Sequence, residues 1–409
     1  MRFPHLPVDP GTSAGVAAVF VVKRILLPTA LGLLPTPLAA QPATTLASDS
    51  EARWIGFELT AANHIRFAAT INGKPAQAIL DTGVSDSVVT PEFAAGAGLR
   101  GAVRGRADAV GGAVDIAWAA LRELQIGGLA RRGGRIGIAA LPSAATDPGS
   151  RTDALIGSDL LACCALEIDY DKRRFRLLPS GRLPFRGASA PLGYDASQRV
   201  YVSALRIGSS RVAPLLVDTG DSAELTLTRT TWTSARQPAP RGTSSGRVNG
   251  LGGPVEAEVV TNDAVRLADL ALPDVEIWIE GSDGLSARRG MAGRIGSGLL
   301  RRLHLLLDPG AGRMVVAPGT GSTRTPRSTS GLVLVAEPGR LVVRYVMRNS
   351  PAAGAGWRPG ERICAVDGVP VSPRAELPTD DWTRGAPGRV LQLGMCDSGA
   401  RNLTLRRFY

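Results

Sequence analysis

Residues 78–83 read Ala78-Ile79-Leu80-Asp81-Thr82-Gly83, and residues 215–220 read Leu215-Leu216-Val217-Asp218-Thr219-Gly220. In both places an apolar, strand-like run stops at a carboxylate followed by a turn tripeptide. Each run is preceded by a hairpin signal, Asn72-Gly73 in the first case and Gly208-Ser209 in the second. Downstream, Leu155-Ile156-Gly157-Ser158 has its counterpart in Arg294-Ile295-Gly296-Ser297. Ile156 lies 75 residues after Asp81 and Ile295 lies 77 after Asp218. Between the paired motifs sit glycine-rich patches flanked by β-forming residues, at 110–114 and 249–253. Two motifs in the same order at matched spacing, twice, mark an internal duplication. Short strands with Gly and Pro punctuation and almost no long helical period predict an all-β fold, with lobes at residues 41–185 and 186–318.

Beyond the duplication, residues 319–330, rich in Thr, Ser, Arg, Gly and Pro, read as a linker, and a separate domain follows at 331–409. At the other end, Lys23 and Arg24 precede an apolar run at 25–38, interrupted by Pro28 and Pro35, and then Ala39-Ala40-Gln41. That order matches a secretory signal over residues 1–40, cleaved after Ala40. An uncleaved membrane anchor and a misassigned start are the alternatives. A bilayer span needs about 20 apolar residues, and the charged pair at 23 and 24 divides the stretch 16–38. The mature chain is therefore expected in the periplasm or secreted, without a membrane span.

Composition narrows the chemistry. The chain has 409 residues, 44% hydrophobic and 20% charged, with a net charge of +11. Basic residues are spread along the whole length, and aromatics are only 5%. No basic stripe with interleaved aromatics stands out, so nucleic acid is not an expected partner. The three histidines, His5, His64 and His304, are too scattered for metal-ligand spacing. They also offer a poor general base for a serine or cysteine hydrolase. The four cysteines form no CxxC. Neither cofactor nor metal is expected.

Two short motifs are decoys. Gly96-Ala97-Gly98-Leu99-Arg100-Gly101 spells a dinucleotide fingerprint, but it follows a helical start at Pro91 rather than a strand, so it reads as a glycine-rich helix exit. Gly11-Thr12-Ser13-Ala14-Gly15 spells an esterase elbow but lies in the leader.

Two carboxylates in a repeat carry a chemistry that one does not. If the lobes pack about a pseudo-twofold axis, the turns place Asp81 beside Asp218. Like charges about 3 Å apart cannot both ionise, so the pair holds one proton over a broad pH range. The ionised member can activate a water while the protonated member polarises a carbonyl. Gly83 and Gly220 let the backbone turn tightly, and Thr82 and Thr219 can brace the opposite turn through their hydroxyls.

At these residues the sequence resembles the retropepsin-like aspartic proteases over roughly residues 55–318. The Asp-Thr-Gly after an apolar strand, the glycine-rich flap-like hairpin and the later Ile-Gly-Ser all occur where that family has them. The resemblance implies a bilobal acid-protease fold with both halves on one chain. It also implies Asp81 and Asp218 as the catalytic dyad, and flaps containing Gly111, Gly112, Gly252 and Gly253 over a peptide cleft. Val84 and Asp221 follow the two turns where that family carries other residues, and neither flap has a tyrosine. Asp221 beside the dyad is expected to raise its apparent pKa and give a weakly acidic optimum.

Residues 350–368, Ser350-Pro351-Ala352 through Trp357-Arg358-Pro359-Gly360-Glu361 to Val366-Asp367-Gly368, resemble the bacterial PDZ pattern. This implies a peptide or C-terminus added as a strand, its carboxylate received by backbone amides at Ser330, Gly331 and Leu332. Cys163 and Cys164 are expected to pack as small apolar residues, Cys364 and Cys396 could pair, and His304 reads as a core residue. The whole is expected to be a monomeric aspartic endopeptidase acting on peptides or unfolded proteins. Two alternatives stand beside it: a non-catalytic peptide-binding protein, and lobes that pair with a second chain.

Overall fold

The structure is a computed structural model and describes residues 43–146, 150–235, 242–320, 326–374 and 381–409. The leader and the middle of the 319–330 segment lie outside the described residues.

The first lobe starts from the hairpin that Asn72-Gly73 dictates. Strand Ile65–Ile71 turns at those two residues, with φ of 51° and 79°, into strand Lys74–Leu80. Positive φ at both central positions is what a two-residue hairpin turn matched to strand twist requires. Ala154–Ile156 then lies parallel to Lys74–Leu80, setting Leu155 opposite Ile79, and antiparallel to Val88–Val89. Helix Pro91–Gly96 follows, capped by Thr90, whose hydroxyl accepts from the Phe93 N–H, with proline at its start. Gly98 has φ 66°, so the Gly96–Gly101 run is the exit of this helix.

The second lobe repeats the plan. Val200–Ile207 turns at Gly208 into Ser210–Asp218, and Gly293–Gly296 lies parallel to the latter with Arg294 opposite Leu216. Helix Arg229–Ser234 is capped by Thr228 as its counterpart is by Thr90. The strands after the two Ile-Gly-Ser motifs, Ala165–Asp169 and Leu303–Asp308, pair antiparallel with each other, with Ile168 opposite Leu305. One hydrophobic core runs through both lobes, including Phe67, Leu80, Ile156, Phe175, Tyr201, Val217, Ile295 and Leu305. The fold is all-β and bilobal, as the sequence predicts.

A third sheet is built from Leu332–Glu337, Arg340–Val346, Arg362–Val366, Val390–Met395 and Ala400–Thr404 in that spatial order. It has its own core around Leu341, Trp357, Ile363, Trp382, Leu391 and Leu403. The described ends of the 319–330 segment are anchored rather than loose. Thr320 N–H and hydroxyl both donate to Asp171, Arg327 pairs with Asp274, and Ser330 is fully buried. Among the described residues no helix is long and apolar enough to cross a membrane.

The cysteines depart from expectation in one case. Cys163 and Cys164 are bonded to each other rather than packed as free apolar side chains, and Cys364 is bonded to Cys396. His304 is half-buried instead of lying in the core, with Nε2 on the Glu167 carboxylate and its ring stacked on Phe185. The Cys364–Cys396 bridge ties Arg362–Val366 to the end of Val390–Met395. Replacing both cysteines by serine is expected to destabilise the C-terminal sheet by about 3 kcal/mol. Hydrogen exchange at strand 390–395 should accelerate accordingly, while exchange at strand 74–80 should not change.

Candidate active site

Asp81 ends one arm of the duplication and Asp218 the other, and the structure brings them together in one cavity of about 760 Å³. Both are buried, at 8% and 7% exposure. Beneath them Thr82 and Thr219 reach across the pseudo-twofold axis. The Thr82 hydroxyl donates to the Val217 carbonyl at 2.7 Å, and the Thr219 hydroxyl donates to the Leu80 carbonyl at 2.7 Å. Each hydroxyl also accepts the other threonine's N–H at 3.0 Å. The bracing read from the sequence is therefore present as four reciprocal bonds, fully buried.

The glycines have a different reason from the one the tripeptide suggests. Neither Gly83 nor Gly220 is among the positive-φ residues. A Cβ on Gly83 would collide with the Asp218 carboxylate, and one on Gly220 would collide with the Asp81 carboxylate. Close approach of the opposite aspartate, not turn conformation, demands glycine. Each glycine N–H also donates to the carboxylate two residues before it, at 3.0 Å.

Burial and mutual repulsion set the proton affinity. Burial, followed by the charge of Asp218, pushes the Asp81 carboxyl well above the usual carboxylate range. Burial and then the charge of Asp221 push Asp218 up to about 6, against a smaller opposing pull from Arg294. Burial alone would raise Asp221 too, but Arg294 at 2.8 Å holds it below its ordinary value. Asp221 thus acts on the dyad in the direction expected for it, as a fixed negative charge.

Hairpins at 103–120 and 243–262 cover the cavity, and their glycine tips meet. Gly252 N–H donates to the Val110 carbonyl at 2.9 Å, and the spaces beside Gly111 and Gly252 are filled by the backbones of Gly253 and Gly112. Side chains from the second lobe hold the first hairpin. Arg288 donates to the Ala109 carbonyl at 3.0 Å, and Arg289 donates to the carbonyls of Asp108 and Gly83. These arginines, and Arg294 with Glu280, escape a reading of the sequence. The one signal was Arg294 standing where the first copy has Leu155.

Ser330, Gly331 and Leu332 lie together outside this cavity. Their amides are already engaged: Ser330 N–H on the Thr383 carbonyl, Gly331 N–H on the Ser328 hydroxyl and Leu332 N–H on the Ser330 hydroxyl. In this arrangement none of the three amides is left to receive a carboxylate, because Thr383 takes one and the local serine hydroxyls take the other two.

A sequence model of the aspartyl protease family matches residues 67–160 and 203–287. One match falls in each lobe and each spans one Asp-Thr-Gly, so the chain carries two regions of aspartyl protease type in tandem. No match was found among curated proteins.

The raised proton affinity of Asp218 has a consequence for stability. Its folded pKa lies above the unfolded value, so its contribution is fully present below about pH 4 and is lost as pH rises through about 6. Asp218→Asn removes that ionisation. It should stabilise the protein at pH 7 by up to about 3 kcal/mol, with the gain vanishing near pH 4. Thermal melts at the two pH values measure this, and an unchanged Tm at pH 7 would contradict the assignment.

Proposed function

We propose that the chain is an exported aspartic endopeptidase in which Asp81 and Asp218 form one dyad, with residues 331–409 as a PDZ-like domain that recruits the substrate. One observation carries this reading. Two buried carboxylates, one from each aspartyl-protease-type region, line a single cavity under paired hairpins with raised proton affinity.

In the half-ionised dyad the carboxylate takes a proton from a water held between the two aspartates. The water oxygen bonds to the scissile carbonyl carbon while the protonated carboxyl delivers its proton to the carbonyl oxygen. The result is a neutral tetrahedral diol. One hydroxyl proton of the diol then passes to the carboxyl that is now ionised, the other aspartate gives the amide nitrogen the proton it took from the water, and the C–N bond breaks. A carboxylic acid and an amine leave, and the dyad again holds one proton. The flap hairpins must part for a chain to enter and then exclude bulk water when they close.

Support for recruitment comes from a second cavity of about 510 Å³, lined by Leu332, Val333 and Leu334 on one side and by Trp382, Thr383 and Arg384 on another. Leu332–Glu337 pairs only with Arg340–Val346 among the described strands, so its other edge is open to an added strand. Ser222, Ala223, Arg247, Val248 and Trp278 line both cavities. Since the amides at 330–332 are engaged, this reading has an internal extended segment, rather than a chain terminus, laid along the edge. The apolar leader at 1–40 and the two disulfides support export to an oxidising compartment.

Cleavage of an unfolded protein substrate by the purified chain, from pH 3 to 8, tests the proposal. Activity should rise as pH passes about 6, where Asp218 ionises, and fall once the last shared proton, on Asp81, is lost. Asp81→Asn or Asp218→Asn alone should reduce kcat by at least about 10³. A folded protein inactive at every pH would favour the peptide-binding alternative, and activity still rising as pH falls to about 3 would contradict the raised affinity. Asp221→Asn removes a negative neighbour from Asp218 and should move the acidic limb of the profile to lower pH.

A further inference from the structure

The duplication lets each position of one lobe be matched with its counterpart in the other, and four matched positions beside the dyad differ in chemistry together. Leu155 lies opposite Ile79 and Val88, whereas Arg294 lies opposite Leu216 and Thr226. Leu155 therefore corresponds to Arg294 and Val88 to Thr226. The parallel neighbours extend the match. Val89 pairs with Ile138 and Leu227 with Ile279, so the next residues, Ala139 and Glu280, correspond. Val84 and Asp221 each follow their Asp-Thr-Gly.

In the first lobe Val84, Val88, Ala139 and Leu155 belong to one apolar cluster with Ile79 and Ile116. Leu251, from the tip of the opposite hairpin, packs against that cluster. In the second lobe the four counterparts bond to one another instead. Arg294 Nε donates to Asp221 at 2.8 Å, its Nη1 donates to Glu280 at 3.0 Å, and Thr226 donates to Asp221 at 3.2 Å. Ser286 takes a second bond from Nη1 at 2.8 Å. Arg294 is 5% exposed and lines the cavity, yet no acceptor among the described residues takes its Nη2.

We infer that the two subsites flanking the scissile bond select opposite side chains: an apolar one against Val84 and Leu155, and a carboxamide, Gln or Asn, against Arg294. The inference rests on the peptidase reading of the cleft. A carboxamide oxygen can accept from Nη2, whereas an apolar side chain would cover that donor and leave it unmet. Two carboxylates already share this one guanidinium, so a neutral acceptor fits the local charge better than a third carboxylate.

The test is a peptide library randomised on both sides of the cleavage point, digested by the purified chain, with product ends read by mass spectrometry. One flanking position should be enriched in Leu, Ile or Phe and the other in Gln or Asn. At the latter, kcat/KM for Gln should exceed that for Leu by at least about tenfold. A variant that copies the first lobe, Asp221→Val with Thr226→Val, Glu280→Ala and Arg294→Leu, keeps the dyad and should prefer apolar residues at both positions. Cleavage by the unaltered protein with apolar preference on both sides overturns the inference and leaves the peptidase reading standing. A preference for Glu over Gln overturns the neutral-acceptor assignment, as does a carboxamide preference that survives in the four-site variant. Failure of the folded, unaltered protein to cleave any library member overturns the peptidase reading and the inference with it.

Discussion

Two threonine hydroxyls, Thr82 and Thr219, each act as donor and acceptor across the pseudo-twofold axis, and the site's other features follow from where they hold the backbone. Each hydroxyl fixes the opposite strand end through its carbonyl and the opposite turn through its amide. These groups are fully buried, so losing either hydroxyl would strand polar partners without water to replace it. With the strand ends fixed, the two aspartates have no freedom to separate. Their carboxylates come so near the opposite turns that only glycine fits at 83 and 220. The raised proton affinity of the pair is thus a consequence of backbone geometry before it is a property of the aspartates.

The symmetry that the brace enforces is kept where the chemistry is symmetric and abandoned a few ångströms away. Asp, Thr and Gly are identical in the two lobes, as are the helix caps Thr90 and Thr228. The walls on either side differ at four matched positions, apolar in one lobe and polar or charged in the other. The hairpins are held by unlike means as well. Leu251 of the second packs on the apolar wall of the first lobe, while Arg288 and Arg289 of the second lobe bond to the backbone of the first hairpin. A duplicated fold built from two identical chains could not carry these differences, since each change would appear on both sides at once.

Much of this was legible in the sequence because the decisive signals are local. Asn72-Gly73 specifies its hairpin through two backbone dihedrals, and Pro91 marks its helix start. The repeat of strand, turn and Ile-Gly-Ser specifies that both halves fold alike. What was illegible depends on partners distant in sequence. The glycines' role needs the aspartate 135 or more residues away. Arg294 looks like an intrusion into an apolar strand until Asp221 and Glu280 are seen around it. The amides at 330–332 have the order of a binding loop, but Thr383 and Ser328 already occupy two of them. The Cys163–Cys164 bond runs against the strain expected of neighbouring cysteines and had no signal beyond their adjacency.

The C-terminal sheet adds a last asymmetry, because among the described residues its hydrogen bonds to the hairpins all fall on the second. Tyr345 donates to the Ser245 hydroxyl at 2.7 Å, and Arg348 N–H donates to the same oxygen at 3.1 Å. Ser244 donates to the Arg348 carbonyl and Asn349 to the Thr243 carbonyl. All four bonds land on the first three residues of strand Thr243–Gly250, the base of the second hairpin. The first hairpin is therefore anchored at its tip by arginines from the facing lobe, the second at its root by a separate sheet. Movement of the second hairpin as a rigid arm must either carry residues 345–349 with it or break those bonds. Movement confined to its tip needs only the contacts around Gly252 to open. Since the open edge of Leu332–Glu337 belongs to the sheet that grips this root, whatever occupies that edge shares a mechanical frame with one hairpin and not with the other.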